Sequence, residues 1–278
     1  MSTNFKKIHF IGIGGIGVSA LAQYYLAQGH EVSGSDLTLS EITSFLQKKG
    51  VKIFAGNAAE CIGQNIDLVV YSPAVKPDNL ELQEASRRNI KVKSYPEALG
   101  ELTKQYTTIA VSGSHGKSTT TAMIALILIK AGLDPTVIVG TKLKEFGDSN
   151  FRAGSSKYLV IEACEYDGSF LNYSPTITVV TNIDKEHLDY FKTFANVKKS
   201  FREFIMRLPV NGFLAANGDD KNIAKARNPR FKTIHYSLRQ PGVKKLRKIL
   251  KIPGDHNISN ALAAMAVARI LQVKDTVS

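Results

Sequence analysis

Short apolar runs alternate along this chain with longer amphipathic stretches, and the alternation predicts its elements. In the N-terminal part KIHFIGI (7–13) reads as a strand, residues 15–28 as a helix, HEVSGSD (30–36) as a strand and residues 40–49 as a helix. Strand, helix and strand in that order form a βαβ unit with parallel strands. Further strands are expected at DLVVYS (67–72) and near KVKS (91–94). The helix PEALGELTKQ (96–105) closes a first domain, with the boundary near Gln105. A second α/β layer follows the strand that starts at Thr107. Its further strands are PTVIVG, KYLVIEA, TITVVTN, GFLAA and KTIHYS, with helices over residues 194–208 and 257–271. Only RQPGVKKLRKILKIPGD (239–255) breaks the rhythm, and it reads as a basic loop with one short strand. The expected organisation is α/β throughout, with domains at 1–105 and 106–278.

Length and composition agree with that division. A chain of 278 residues suggests two domains, each large enough for its own core. No apolar run approaches the ~18 residues a membrane span needs, and MSTNFKKIHF enters a strand without a hydrophobic signal region, so a cytoplasmic protein with no membrane partner is expected. Cys61 and Cys164 have no CxxC spacing and read as reduced thiols. A net charge of +12 raises the question of nucleic acid. Apart from KKLRK (244–248) the basic residues are scattered, and no aromatic-interleaved basic stripe runs through them, so nucleic acid is not an expected partner. The same positive field suits small polyanionic substrates.

Residues 107–121, TTIAVSGSHGKSTTT, carry the most specific chemistry. A β-branched strand stops at Val111, turns through Gly113 and Gly116, and opens a helix at Lys117. Several backbone N–H groups then point at one spot at the positive end of a helix dipole, where an anion belongs. Gly113, Ser114, His115, Gly116, Lys117, Ser118 and Thr119 form this phosphate-gripping loop. Lys117 supplies a point charge to the outer phosphates, and the Ser118 or Thr119 hydroxyl suits a magnesium ion carried by a nucleotide. The common P-loop has four residues between its glycines where this one has two, with Val111 at the place of the distal glycine.

A second glycine loop, IGIGGIG (11–17), follows the first strand, and Asp36 ends the second strand 24 residues after Gly12. Gly12, Gly14, Gly15 and Gly17 permit a tight turn and close approach of a diphosphate, while Asp36 can accept from a ribose hydroxyl. From these residues alone the ligand could be NAD, FAD or a UDP-sugar. In the second half, VIEACEYDGSFL (160–171) places Glu162 at the end of an apolar strand, and VVTNIDKEHLDYF (179–191) places Asn182 and His187 just after another. Ligands of a parallel sheet sit outside the carboxyl ends of its strands, so Glu162 and His187 can converge on a metal beside the nucleotide. Glu165 and Asp167 read equally well as acids of a solvated loop, and Cys164 as a packing thiol. GDHNISNALAA (254–264) sets Asn257 and Asn260 three residues apart at a helix start, where their amides can read an adenine edge or serve as caps.

Taken together, IGIGGIG with GSD, GSHGKSTTT, EACEYDGSFL with TNIDKEHLDYF, and GDHNISNALAA resemble the Mur ligases, the ATP-dependent ligases of peptidoglycan precursor synthesis. The motifs occur in the family's order and cover essentially the whole chain. His115 within GSHGKS resembles the branch that joins L-alanine to UDP-N-acetylmuramate and its relative that recycles murein tripeptide. The resemblance implies a Rossmann-like parallel-sheet domain that binds the UDP-sugar, followed by a P-loop-type α/β ATP-binding domain. It also implies a mechanism: the substrate carboxylate attacks the γ-phosphate of ATP to give an acyl-phosphate and ADP, and the amino group of the amino acid then attacks the activated carbonyl.

Carried over by motif position, Lys117 and His187 are catalytic, Ser118, Glu162 and His187 are the magnesium-site residues, and Asn257 with Asn260 hold adenine. Gly12, Gly14, Gly15, Gly17, Asp36 and Ser72 bind the UDP part. ATP and Mg2+ are the implied cofactors. The family also has a C-terminal domain beyond the adenine helix and a small strand-rich stretch between the equivalents of Tyr236 and Leu250. This sequence shows neither, so the expectation is a chain that binds nucleotides, ligates poorly by itself, and could meet a third domain in trans. Two other classes remain in view. A nicotinamide-dependent oxidoreductase would leave GSHGKSTTT unexplained, and a nucleotide-binding remnant would bind without turnover.

Overall fold

Each apolar run read as a strand forms one in the computed structural model, which describes residues 5–226 and 230–273. Two compact units result: Met1–Leu99 with Gly140–Ala153, and Gly100–Val139 with Gly154–Ser278.

The first unit runs β1 (Lys7–Ile11), α1 (Ile16–Ala27), β2 (Glu31–Asp36), α2 (Glu41–Lys48), β3 (Lys52–Ala55), β4 (Leu68–Tyr71), α3 (Leu80–Arg87) and β5 (Lys91–Ser94), and reaches into α4 (Tyr95–Thr103). Its sheet is parallel, in the order β3-β2-β1-β4-β5. The central strands read as unbroken apolar runs because helices cover both faces, and Ile8, Phe10, Leu68, Val69 and Val70 are fully buried. Strand order reverses between β1 and β4, so a crevice opens at their carboxyl ends. Helix starts are locally specified. Ser40 and Thr43 cap α2 reciprocally, and the Asn79 side chain accepts from the N–H groups of Glu81 and Leu82 at the head of α3.

The second unit is built on β6 (Thr107–Ser112), α5 (Lys117–Lys130), the first part of β7 (Thr136–Leu143), β9 (Tyr158–Glu162), β10 (Ile177–Val180), α6 (Leu188–Phe191), α7 (Phe194–Ile205), β11 (Phe213–Asn217), α8 (Lys221–Ala226), β12 (Lys232–Tyr236), α9 (Val243–Ile249) and α10 (Asp255–Ile270). Its sheet has the order β12-β11-β10-β6-β9-β7-β8, where β8 is Ser149–Arg152. The registers of β12 through β7 are parallel. β6 lies at the reversal of strand order, which puts the loop after it at the switch point of this sheet.

Three features depart from the sequence reading. Residues 243–249 form α9 rather than a short strand. Lysine, leucine and arginine are good helix formers, Gly242 turns into the helix at φ +90°, and Val243 anchors it in the interior. Residues 140–153, read as part of the second domain, group with the first unit. There β8 packs against α1 through a buried polar set: Gln23 Nε2 donates to Asn150 Oδ1 (2.8 Å), and Asn150 Nδ2 donates to Ser19 Oγ (3.0 Å) and to the Ile16 carbonyl. A polar contact of this kind leaves no hydrophobic period in the sequence. β3, α3, α6, α8 and β8 have no counterpart in the sequence reading. They span four to eight residues, too short for a period to show.

Candidate functional site

At the carboxyl ends of β1, β2 and β4 the first unit holds a cleft of about 660 Å³, lined among others by Gly12, Gly14, Gly15, Asp36 and Ser72. Gly17 does not line it. It lies in the first turn of α1 with its Cα against the Tyr95 ring, where an added methyl would come within 2.8 Å, so this glycine serves packing. The glycine loop spends its own donors. The N–H groups of Gly12 and Ile13 both donate to the Ser35 carbonyl (2.9 and 3.0 Å), Gly14 donates to Asp36 Oδ2 (2.8 Å), and Gly15 donates back to Gly12 (3.1 Å).

The loop is therefore pinned to the end of β2, and the N–H groups that can meet an anion are those of the first turn of α1. Asp36 also accepts from Thr38 N–H (3.1 Å), which uses two of its lone-pair sites and leaves others for a hydroxyl. Beneath the loop a fully buried polar group forms the floor. Glu81 accepts from Ser35 Oγ at 2.6 Å and is hydrogen-bonded to His9 Nε2 at 2.8 Å, while His9 Nδ1 lies 2.9 Å from Ser33 Oγ. Both side chains are 0% exposed. Composition gave no hint of this pair, since an isolated His and Glu are unremarkable in sequence.

In the second unit β6 ends at Ser112 and α5 begins at Lys117, as the sequence indicates. Gly113 and Gly116 take φ +140° and +80°. A β-carbon on Gly116 would lie 2.4 Å from Asn260 Oδ1, so only glycine fits where α10 approaches the loop. The segment after β10 clamps the loop from the other side. Asn182 Oδ1 accepts from His115 N–H (2.8 Å), and Asn182 Nδ2 donates to the His115 carbonyl (3.0 Å). Thr181 Oγ1 donates to that carbonyl at 2.6 Å, and Ser114 Oγ accepts from Asp184 N–H (2.8 Å). The His115 imidazole, itself exposed, faces the carboxylates of Asp184 and Glu186 at 3.7 and 3.8 Å.

Lys117 is nearly buried, and its ammonium donates to the carbonyls of Gly113 (2.7 Å) and Ser114 (3.2 Å) and to Glu165 Oε1 (3.2 Å); Glu165 Oε2 lies 3.0 Å away. Glu165 is 1% exposed, and its Oε1 also lies 3.7 Å from His187 Nε2. The solvated-loop reading of Glu165 thus fails, whereas Asp167 is exposed. Chain direction explains the difference. Asp167 and Gly168 adopt φ +54° and +65°, a turn that leaves Glu165 inside. His187, at φ +54°, is a further residue in the left-handed region. Such backbone costs about 1–3 kcal/mol per residue and concentrates at functional sites. The Tyr166 ring meets the His187 ring edge-on at 5.0 Å.

Glu162 ends β9 in register with Val111, one strand from the phosphate loop, and Ser118 is the second residue of α5. Hydroxyl and carboxylate oxygens are hard ligands that suit magnesium, which typically takes one or two carboxylates and completes its shell with water and nucleotide phosphates. Among the described residues no group of three His, Cys, Asp or Glu side chains converges as a metal cage, so this donor set fits an ion carried in by a nucleotide. Burial pushes the Cys164 thiol up from its ordinary value, with the neighbouring carboxylates adding to the effect. Asn260 is buried against Gly116, while Asn257 is more open and donates to the Pro253 carbonyl at 2.7 Å.

Comparison with known proteins adds to this geometry. Residues 7–107 match the model described as Mur ligase family, catalytic domain, and residues 111–249 the Mur ligase middle domain. The chain is 47% identical to the UDP-N-acetylmuramate–L-alanine ligase of Aquifex aeolicus, over 96% of this chain and 64% of that protein. It is 44% identical to the Acetivibrio thermocellus protein of the same name, over 96% and 62%. It therefore spans a little under two thirds of the length of these relatives. The crystal structure of a UDP-N-acetylmuramate-alanine ligase from Thermotoga maritima superposes with a TM-score of 0.83 at 27% identity, over 97% of this chain and 66% of that one. A UDP-N-acetylmuramate:L-alanyl-γ-D-glutamyl-meso-diaminopimelate ligase from Neisseria meningitides shares the fold, at a TM-score of 0.85 and 24% identity over 97% and 94%.

Proposed function

Because this chain belongs to the Mur ligase family, we propose that it carries the UDP-sugar-binding and ATP-binding parts of an ATP-dependent ligase that joins L-alanine to UDP-N-acetylmuramate. In domain terms, the first unit would bind the UDP-sugar and the second ATP. The observation that carries the reading is the phosphate loop at the switch point of the second sheet, with Lys117 inside it and Glu162 and His187 leaving the neighbouring strands.

Gly113 to Thr119 cradle the phosphates, and Lys117 offsets the charge that builds on the transferring phosphoryl group. Ser118 and Glu162, with His187 beside them, would hold the magnesium, whose chemistry when bound is to neutralise phosphate charge. The Asn257 amide reads adenine while Asn260 fixes the loop from behind. In the first unit Gly12, Gly14, Gly15, Asp36 and Ser72 bind the UDP part, with Gly17 acting through packing. The substrate carboxylate attacks the γ-phosphate, ADP leaves, and the L-alanine amine displaces phosphate from the acyl-phosphate.

Isothermal titration of the chain with magnesium and a non-hydrolysable ATP analogue, then with UDP-N-acetylmuramate, tests this, with NADH as control. Binding of both ligase ligands and not NADH is expected, and Lys117→Ala should abolish the analogue's binding while sparing the UDP-sugar. Absence of analogue binding to a folded chain would sink the ATP reading. L-alanine-dependent phosphate release separates a ligase from a remnant that binds without turnover, and replacing L-alanine by murein tripeptide, with UDP-N-acetylmuramate kept, controls for the sister branch.

A further inference from the structure

The Lys117 ammonium has three N–H bonds, and all three are donated within the protein, to the Gly113 carbonyl, the Ser114 carbonyl and Glu165. For Lys117 to reach a phosphate, one acceptor must be given up. Glu165 is the only charged one, and its geometry imitates an anion. Both of its oxygens lie 3.0–3.2 Å from Nζ, the spacing a phosphate oxygen would take. Its carboxylate is 1% exposed, so it cannot simply swing into water when displaced. A second side chain stands within reach, since His187 Nε2 is 3.7 Å from Glu165 Oε1. Glu165 Oε2 has no hydrogen-bond donor of its own beyond the ionic contact with Lys117, so the carboxylate is only partly satisfied where it is.

We propose that Glu165 is a further residue of the nucleotide site: an internal competitor that holds Lys117 until a nucleotide phosphate displaces it, whereupon its carboxylate turns to His187. The exchange conserves contacts. One Lys117–carboxylate contact is replaced by a Lys117–phosphate contact, and one Glu165–His187 contact closes. The inference rests on the ATP reading of this loop. It gives Glu165 an effect opposite to that of an ordinary ligand-binding residue, because removing its charge should tighten nucleotide binding.

The test is titration of wild type, Glu165→Gln and Glu165→Asp with a non-hydrolysable ATP analogue, and with inorganic tripolyphosphate as a probe of the phosphate contact alone. If the open form is populated about one time in ten, the apparent affinity is held down about tenfold, and Glu165→Gln should recover roughly that factor for both probes. Glu165→Asp, which draws the charge back by one methylene, should recover part of it and serves if the Gln variant does not fold. Equal or weaker binding by a folded Glu165 variant, with wild type binding normally, overturns the exchange and leaves the ATP reading standing. Failure of wild type to bind the analogue strikes the ATP reading itself.

Discussion

Glu81→Ala is the sharpest perturbation of the first unit. Its carboxylate has no exposed surface, accepts from Ser35 Oγ at 2.6 Å and binds His9 Nε2 at 2.8 Å, with His9 equally buried. Alanine leaves an imidazole and a hydroxyl facing a dry space. A hydrogen bond to a charged group contributes about 1.5–3 kcal/mol. Glu81 makes one to Ser35 Oγ and one to His9 Nε2, so their loss together is expected to cost about 3–6 kcal/mol. The Ser35 carbonyl holds the Gly12 and Ile13 N–H groups, so a loosened Ser35 should also weaken UDP binding, by about tenfold.

Urea unfolding followed by circular dichroism suits a chain without tryptophan. Because two units can unfold separately, the first transition is the one to compare. The double variant His9→Leu with Glu81→Leu supplies the contrast. Apolar replacement of a whole buried pair is often neutral or stabilising, so it should restore stability without restoring UDP affinity. A loss below about 1 kcal/mol for Glu81→Ala would refute the account of the pair.

Other consequences can be measured independently. Gly116→Ala should lower affinity for the ATP analogue at least tenfold, because the left-handed backbone costs an alanine about 1–2 kcal/mol and its β-carbon would displace Asn260 from 2.4 Å; unchanged binding would mean the loop relaxes freely. Asp67 accepts from the Lys7 and Lys6 N–H groups, which hold its carboxyl below the ordinary value of 3.8. Its stabilising contribution is thus present above that pH and lost as pH falls through the lowered folded value. The stability difference between wild type and Asp67→Asn should shrink on acidification from pH 4 downwards, and a difference that grows would reverse the sign. Burial raises both the Cys61 and Cys164 thiols, so alkylation by iodoacetamide at pH 8 should be slower than for a free thiol, as mass spectrometry would show.

The sheets and the phosphate loop were legible because their signals are local. Apolar runs announce buried parallel strands, and glycine followed by lysine and hydroxyls announces a loop at a helix start. What stayed hidden depends on chain reversal. Glu165 is separated from Lys117 by 48 positions, and only the left-handed turn at Asp167 and Gly168 brings it inside. His9 and Glu81 lie 72 positions apart and reveal themselves only once β1 and α3 are packed. The glycine fingerprint reads as a tight turn, but nothing in it shows that the Gly12 and Ile13 N–H groups go to Ser35 at the end of β2. Donor assignment depends on where a neighbouring carbonyl sits, which spacing alone does not encode. The basic stretch that holds α9 is illegible for a different reason: the helix has two turns, too few for a hydrophobic stripe.

The excursion of residues 140–153 into the first unit has a bearing on synthesis. Forty residues of the second unit, Gly100–Val139, separate it from the body it completes. A ribosome must therefore deliver β8 before Asn150 can cover Ser19 and Gln23 of α1, and until then the nascent first unit carries an open polar seam. The first unit cannot close until forty residues of the second have been made, and pauses in translation or an early cleavage between residues 100 and 153 would expose that seam to chaperones and proteases.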